Sequence, residues 1–224
     1  MMIDNNEELS LLEVRELIYS ILGSVFLTPP SIDQVDIILE EKLFESFPLE
    51  LDAEVFRQGL DQLCQWAANI TESNKNEVLT ELNDDFNTLF VGPHKLKAPP
   101  WESVYRSEEK LTFDAITLEV REFYRRHGLE VAKKNIEPDD HFGAELEFMA
   151  ELIGRQYKAL ELKHYEEAKL LMDDQIEFLS EHLVKWAFEF TQDVISNART
   201  DYFGGLARLA SAYIQWDFER LKTS

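Results

Sequence analysis

One cysteine, Cys64, is the only thiol in this chain, so no internal disulfide can brace the fold and a reducing compartment suits it. It lies in Leu60-Asp61-Gln62-Leu63-Cys64-Gln65-Trp66, a setting for a small buried apolar residue and not for a nucleophile. Glycine is scarce as well, with 8 in 224 residues. None of them builds a G-x-x-x-x-G-K-[ST] or G-x-G-x-x-G phosphate loop, or a G-x-S-x-G elbow. Basic residues are few: 22 Lys and Arg stand against 44 Asp and Glu, a formal net charge of −22. A field of that sign repels phosphate backbones and anionic lipid, so nucleic acid and membrane are poor partners, and a basic segment is drawn in. Long apolar runs are missing too. The stretch Leu17 to Leu27 falls far short of the ~20 residues that span a bilayer. The start, Met1 to Glu8, is acidic where a signal peptide is basic. The expectation is a soluble, cytoplasmic protein.

What the chain has in abundance is helical period. Apolar residues make up 45% of it, too many for a disordered acidic tail. Leu11, Val14, Leu17, Ile18, Ile21, Leu22 and Val25 form one stripe at spacings of three and four. Pro29-Pro30 ends that helix and Ser31 caps the next, which runs towards Pro48. Further helices are expected over 52–70, 76–90, 108–127, 139–159, 164–178, 180–197 and 201–221. Between them, Val91 to Tyr105 holds three prolines and a glycine and reads as irregular. The fold class is all-α, a helical bundle of about nine or ten helices. A larger N-terminal part (1–127), carrying the proline-aromatic loop, meets a smaller C-terminal part (139–224) through a hinge (128–138).

Two segments carry chemistry. Glu137-Pro138-Asp139-Asp140-His141 sets three carboxylates and an imidazole at a rigid turn before a helix. Such a cluster fits a cationic partner, a metal, or a helix cap. Asp140 by itself reads as an N-cap, and His141 as a residue that fixes the turn. For metal, His141 and Glu145 share a helix face, and Glu161 to His164 has E-x-x-H spacing. One such motif does not complete a carboxylate-bridged pair, and Glu161 lies in a charged, solvated stretch. A metal enzyme built on Glu137, His141, Glu145 and Glu161 is the alternative reading. The second segment, Ala98-Pro99-Pro100-Trp101, shows a tryptophan on a stiff loop, with Phe90 before it and Tyr105 a turn beyond. Its aromatics either fold into the core or line a groove for a partner.

Asp85-Phe86-Asn87-Thr88-Leu89-Phe90-Val91-Gly92-Pro93, Ala98-Pro99-Pro100-Trp101-Glu102-Ser103-Val104-Tyr105 and Glu137-Pro138-Asp139-Asp140-His141-Phe142-Gly143 together resemble the TorD/DmsD family of redox-enzyme maturation chaperones. The second run is more similar to the DmsD branch, from which His94 and Tyr105 depart, standing where that branch carries tryptophan. The resemblance implies an all-helical cytoplasmic chaperone without catalytic residues, cofactor or metal. It would bind the twin-arginine signal peptide of a molybdenum-cofactor oxidoreductase and hold the precursor for cofactor insertion before export. It would work beside the export machinery, as a monomer or a domain-exchanged dimer. Matched position by position, it assigns the peptide site to Leu89, Phe90, Pro100, Trp101, Tyr105, Pro138, Asp140 and His141. Glu137 joins Asp140 as a carboxylate able to take the two parallel hydrogen bonds of a guanidinium.

Overall fold

The computed structural model of the protein describes residues 5–107, 115–131 and 138–223. Among these residues ten α-helices form: α1 (Asn5–Leu27), α2 (Ile32–Glu40), α3 (Glu54–Ala68), α4 (Lys75–Phe86), α5 (Glu102–Arg106), α6 (Ala115–Arg126), α7 (Phe142–Glu161), α8 (Tyr165–Phe178), α9 (Val184–Asn197) and α10 (Asp201–Lys222). A π-helical turn, Asn87–Val91, continues α4, and another, Leu179–Leu183, joins α8 to α9. No strand forms among the described residues, where extended pairing is limited to one antiparallel bridge, Trp101 with His141. None of the described helices is long and apolar enough to cross a membrane.

Most helix ends follow the sequence signals. The Ser31 hydroxyl accepts the Gln34 N–H at 3.3 Å, and the Gln34 side-chain oxygen takes the Ser31 N–H at 2.8 Å. Two N–H groups without helical acceptors are thereby satisfied. Three expectations change. Glu102 to Tyr105 is helical, not irregular, because residues after Pro100 regain their N–H groups and can close a turn. The N-cap of α7 is His141, not Asp140. The helix expected over 108–127 is seen as α6, with 108–114 outside the described residues.

The chain divides into two compact units. One comprises Met1–Leu27, Trp101–Trp186 and Asp217–Ser224, and the other Thr28–Pro100 and Ala187–Trp216. The partition expected from sequence follows chain order instead, and 132–137 of its hinge lie outside the described residues.

In the first unit α1 packs along α7. The buried face of α1 is Leu12, Arg15, Ile18, Tyr19, Leu22 and Phe26, one residue round from the expected stripe, and Leu17 is 47% exposed. Arg15 turns the helix. Buried, it gives Asp217 two hydrogen bonds of 2.7 and 2.8 Å and Gln175 one of 2.9 Å, while the Tyr19 hydroxyl adds a bond of 3.0 Å to Asp217. A guanidinium can sit in a core only with such partners, and removing one strands the other. The two backbones touch at glycines: a β-carbon on Gly143 would lie 2.6 Å from the Gly23 carbonyl oxygen.

The second unit is built on aromatics. Phe90 meets Phe86, Phe203 and Phe190 with ring centroids 5.3, 5.7 and 6.1 Å apart. Buried Asp85 accepts the Arg199 and Thr200 N–H groups at 3.0 and 2.9 Å and the Thr200 hydroxyl at 2.8 Å, anchoring the approach to α10. Gly92, at φ 103°, ends the π turn in a conformation that side chains resist. Cys64 is half-buried, and burial, then Glu45 and Asp61, push its thiol pKa up, which disfavours the reactive thiolate.

Candidate functional site

Trp101, at the end of the proline-aromatic loop, and the acidic turn meet in the first unit, although nearly forty positions separate them in sequence. Trp101 is held extended by its bridge to His141, and the two rings stand edge to face, 6.3 Å apart at 82°. The Glu102 N–H donates to the Asp140 carbonyl at 3.0 Å. The Asp140 carboxylate, fully buried, accepts the Ser103 N–H on one oxygen and the Thr117 hydroxyl on the other, both at 2.8 Å. Asp140 therefore clamps the start of α5 and the first turn of α6 to the start of α7. Asp139 is also buried, and one of its oxygens accepts the Arg121 Nε and Nη2 hydrogens at 2.9 and 2.6 Å. The His141 Nδ1 accepts the Gly143 N–H at 3.1 Å, which makes the imidazole the helix cap and places a ring proton on Nε2 when the histidine is neutral.

The expected site residues separate in burial. Trp101 and Tyr105 are half-exposed, and Tyr105 lies against Trp186 with ring centroids 5.5 Å apart. Pro138, Asp140 and His141 are buried beside them in the same unit. Leu89, Phe90 and Pro100 are buried in the second unit, where Phe90 is a core residue. Glu137 lies outside the described residues.

Behind Trp101 lies a buried polar group that the sequence did not announce. Glu102 Oε2 bonds to His182 Nδ1 at 2.8 Å across 80 positions of chain, and Oε1 pairs with the Arg106 guanidinium. The Trp186 indole donates to Glu145 Oε2 at 3.1 Å, and Glu145 Oε1 receives no donor. Burial first, then the adjacent Glu102 carboxylate, push the Glu145 carboxyl well above the ordinary range, which favours its protonated form. Because the folded state raises this pKa, the stability it contributes is full below the unfolded value and is lost as pH rises through the folded one. Glu145→Gln, which mimics the protonated form, should remove this dependence. Melting curves taken as pH rises above the ordinary carboxyl range should show wild type losing stability against the variant, with a slope of at most one proton.

The metal reading finds no assembled site. Among the described residues no group of three or more His, Cys, Asp or Glu could hold a metal ion. His141 and Glu145 use Nδ1 and Oε2 for the cap and the indole. Glu161 ends α7, ~30 Å along the helix from His141.

Residues 50–192 match the family model described as nitrate reductase delta subunit. The chaperone protein TorD of Vibrio cholerae is 30% identical over 144 residues, a match covering 64% of this chain and 64% of that protein. The Tat proofreading chaperone DmsD of Salmonella typhi is 28% identical over 199 residues, covering 88% of this chain and 85% of the relative. A crystal structure described as a redox enzyme maturation protein from Archaeoglobus fulgidus superposes with a TM-score of 0.53 at 19% identity, covering 90% of this chain and 93% of that one. That last likeness is one of fold.

Proposed function

The chain belongs to the TorD/DmsD family of redox-enzyme maturation chaperones, and on that premise we propose that it is a cytoplasmic chaperone for the twin-arginine leader of a molybdenum-cofactor oxidoreductase. It holds the leader while the cofactor is inserted and releases it for export. It is a binding protein and not an enzyme.

The observation that carries this reading is the Trp101–His141 bridge. It joins the two motifs and leaves Trp101 half-buried, not sealed in the core, on a backbone fixed by Asp140. A rigid, partly exposed aromatic is a favoured anchor for an apolar peptide, since little freedom remains to be lost on binding. Trp101 and Tyr105 supply that anchor, while Asp140, His141 and Pro138 hold its shape. The net charge of −22 draws in the basic end of a leader.

Titration calorimetry and stopped-flow fluorescence with a synthetic twin-arginine leader test the proposal. Saturable one-to-one binding is expected, with an association rate that falls at least tenfold between about 20 mM and 500 mM salt as the field is screened. A folded chain that ignores the leader would sink the reading. A rate indifferent to salt would remove the acidic field from it.

A further inference from the structure

We propose that Arg106 is a built-in stand-in for a leader arginine: it occupies a guanidinium site formed by Glu102 and Glu181, and the incoming peptide displaces it. This deepens the proposed leader binding and rests on it.

The site already holds the ligand's chemistry. The carboxylate of Glu102 is fully buried, yet Arg106, which covers one of its oxygens, has a side chain 22% exposed. The guanidinium thus stands between a buried acceptor and solvent. The same Nη1 donates to the Glu181 carbonyl oxygen at 2.8 Å. The Arg106 Nε and Nη2 groups make no hydrogen bond among the described residues. A guanidinium has five donors in a fork suited to two parallel bonds, and here one nitrogen does everything. Arg106 is four residues from Glu102 on the same short helix, a spacing that brings the charges together but restricts the approach. A peptide arginine is free of that tether and can present the whole fork.

Two further observations point to an occupant. Glu145 Oε1 and Ser103 Oγ are buried, unpartnered polar atoms next to this cluster. The exposed Glu181 carboxylate pairs with Lys185, another four-residue pair, at 2.5 Å, and Arg106 adds to the positive field on it. Two neighbouring carboxylates that carry the chain's own cations match a ligand with two consecutive arginines. Tyr105, half-buried and backed by the fully buried Trp186, lies on the same helix as an apolar contact for the leader's run beyond them.

The test compares wild type, Arg106→Gln and Glu181→Gln by calorimetry with twin-arginine and twin-lysine leaders. Arg106→Gln should bind the twin-arginine leader about two- to fivefold more tightly, the worth of releasing a partly exposed ion pair. The twin-lysine leader should gain less, because an ammonium lacks the fork. Glu181→Gln, at an exposed position, should weaken twin-arginine binding by a similar factor. It should have no effect on a leader whose second arginine is glutamine. Arg106→Lys keeps a cation on Glu102 and should fall between wild type and the glutamine variant, which guards against instability from a stranded carboxylate. Unchanged or weaker binding by both folded Arg106 variants overturns the stand-in and leaves the proposed function intact. Failure of wild type to bind any leader removes both.

Discussion

Asp140→Ala lowers the stability of the fold by about 3–5 kcal/mol, because a buried N–H and a buried hydroxyl lose a charged acceptor together. Denaturant unfolding followed by circular dichroism reads the loss, which corresponds to a melting temperature lower by roughly 10 °C in a chain of this size. The stranded groups are the Ser103 N–H and the Thr117 hydroxyl, and no other acceptor for the Ser103 N–H occurs among the described residues. Asp140→Asn behaves differently. Its amide oxygen can accept from Ser103 and its NH2 can donate to the Thr117 oxygen, which turns its own proton away, at a cost of about 1–2 kcal/mol. The same variant separates positioning from contact. With both carboxylate oxygens turned inward, Asp140 acts on the leader through the placement of Trp101. Asp140→Asn should therefore weaken a twin-arginine leader and a twin-glutamine leader by equal factors. A loss confined to the twin-arginine leader would mean that the carboxylate turns outward and takes the guanidinium itself.

Trp101→Ala should weaken leader binding by about 2–4 kcal/mol, the range for a central aromatic anchor. The melting temperature should move far less than in Asp140→Ala, since the ring is only half-buried and its backbone bridge to His141 needs no side chain. Trp101→Phe is the informative companion. The indole Nε1 is buried without a partner, so phenylalanine removes an unsatisfied donor while keeping an aromatic face. Stability should hold or rise, and binding should lose no more than about 1 kcal/mol. A Trp101→Ala variant that binds as well as wild type would move the site off this loop.

Much of the architecture is legible in the sequence. Apolar spacings of three and four predicted helices throughout, and Ser31 and the Pro29-Pro30 stop marked a boundary correctly, because such signals act within one turn of chain. The meeting of Trp101 with the Asp140-His141 turn was legible only as a likeness between motifs. Nothing local joins residues nearly forty positions apart. The same limit explains Phe90: an aromatic before a loop suits a core or a groove equally, and only its ring contacts with Phe86, Phe190 and Phe203 place it in the core.

By itself the sequence determined that this is an acidic, single-cysteine, all-helical chain with an aromatic loop and a carboxylate-rich turn, since composition and short-range period carry that information. Tertiary structure alone decided which face of α1 is buried, because Arg15 finds Asp217 about two hundred residues away. It also decided that Asp140 clamps rather than caps, and that Glu102, Glu145 and His182 are buried together. A carboxylate's task depends on which donors surround it and how far water is excluded, and the donors here come from distant helices.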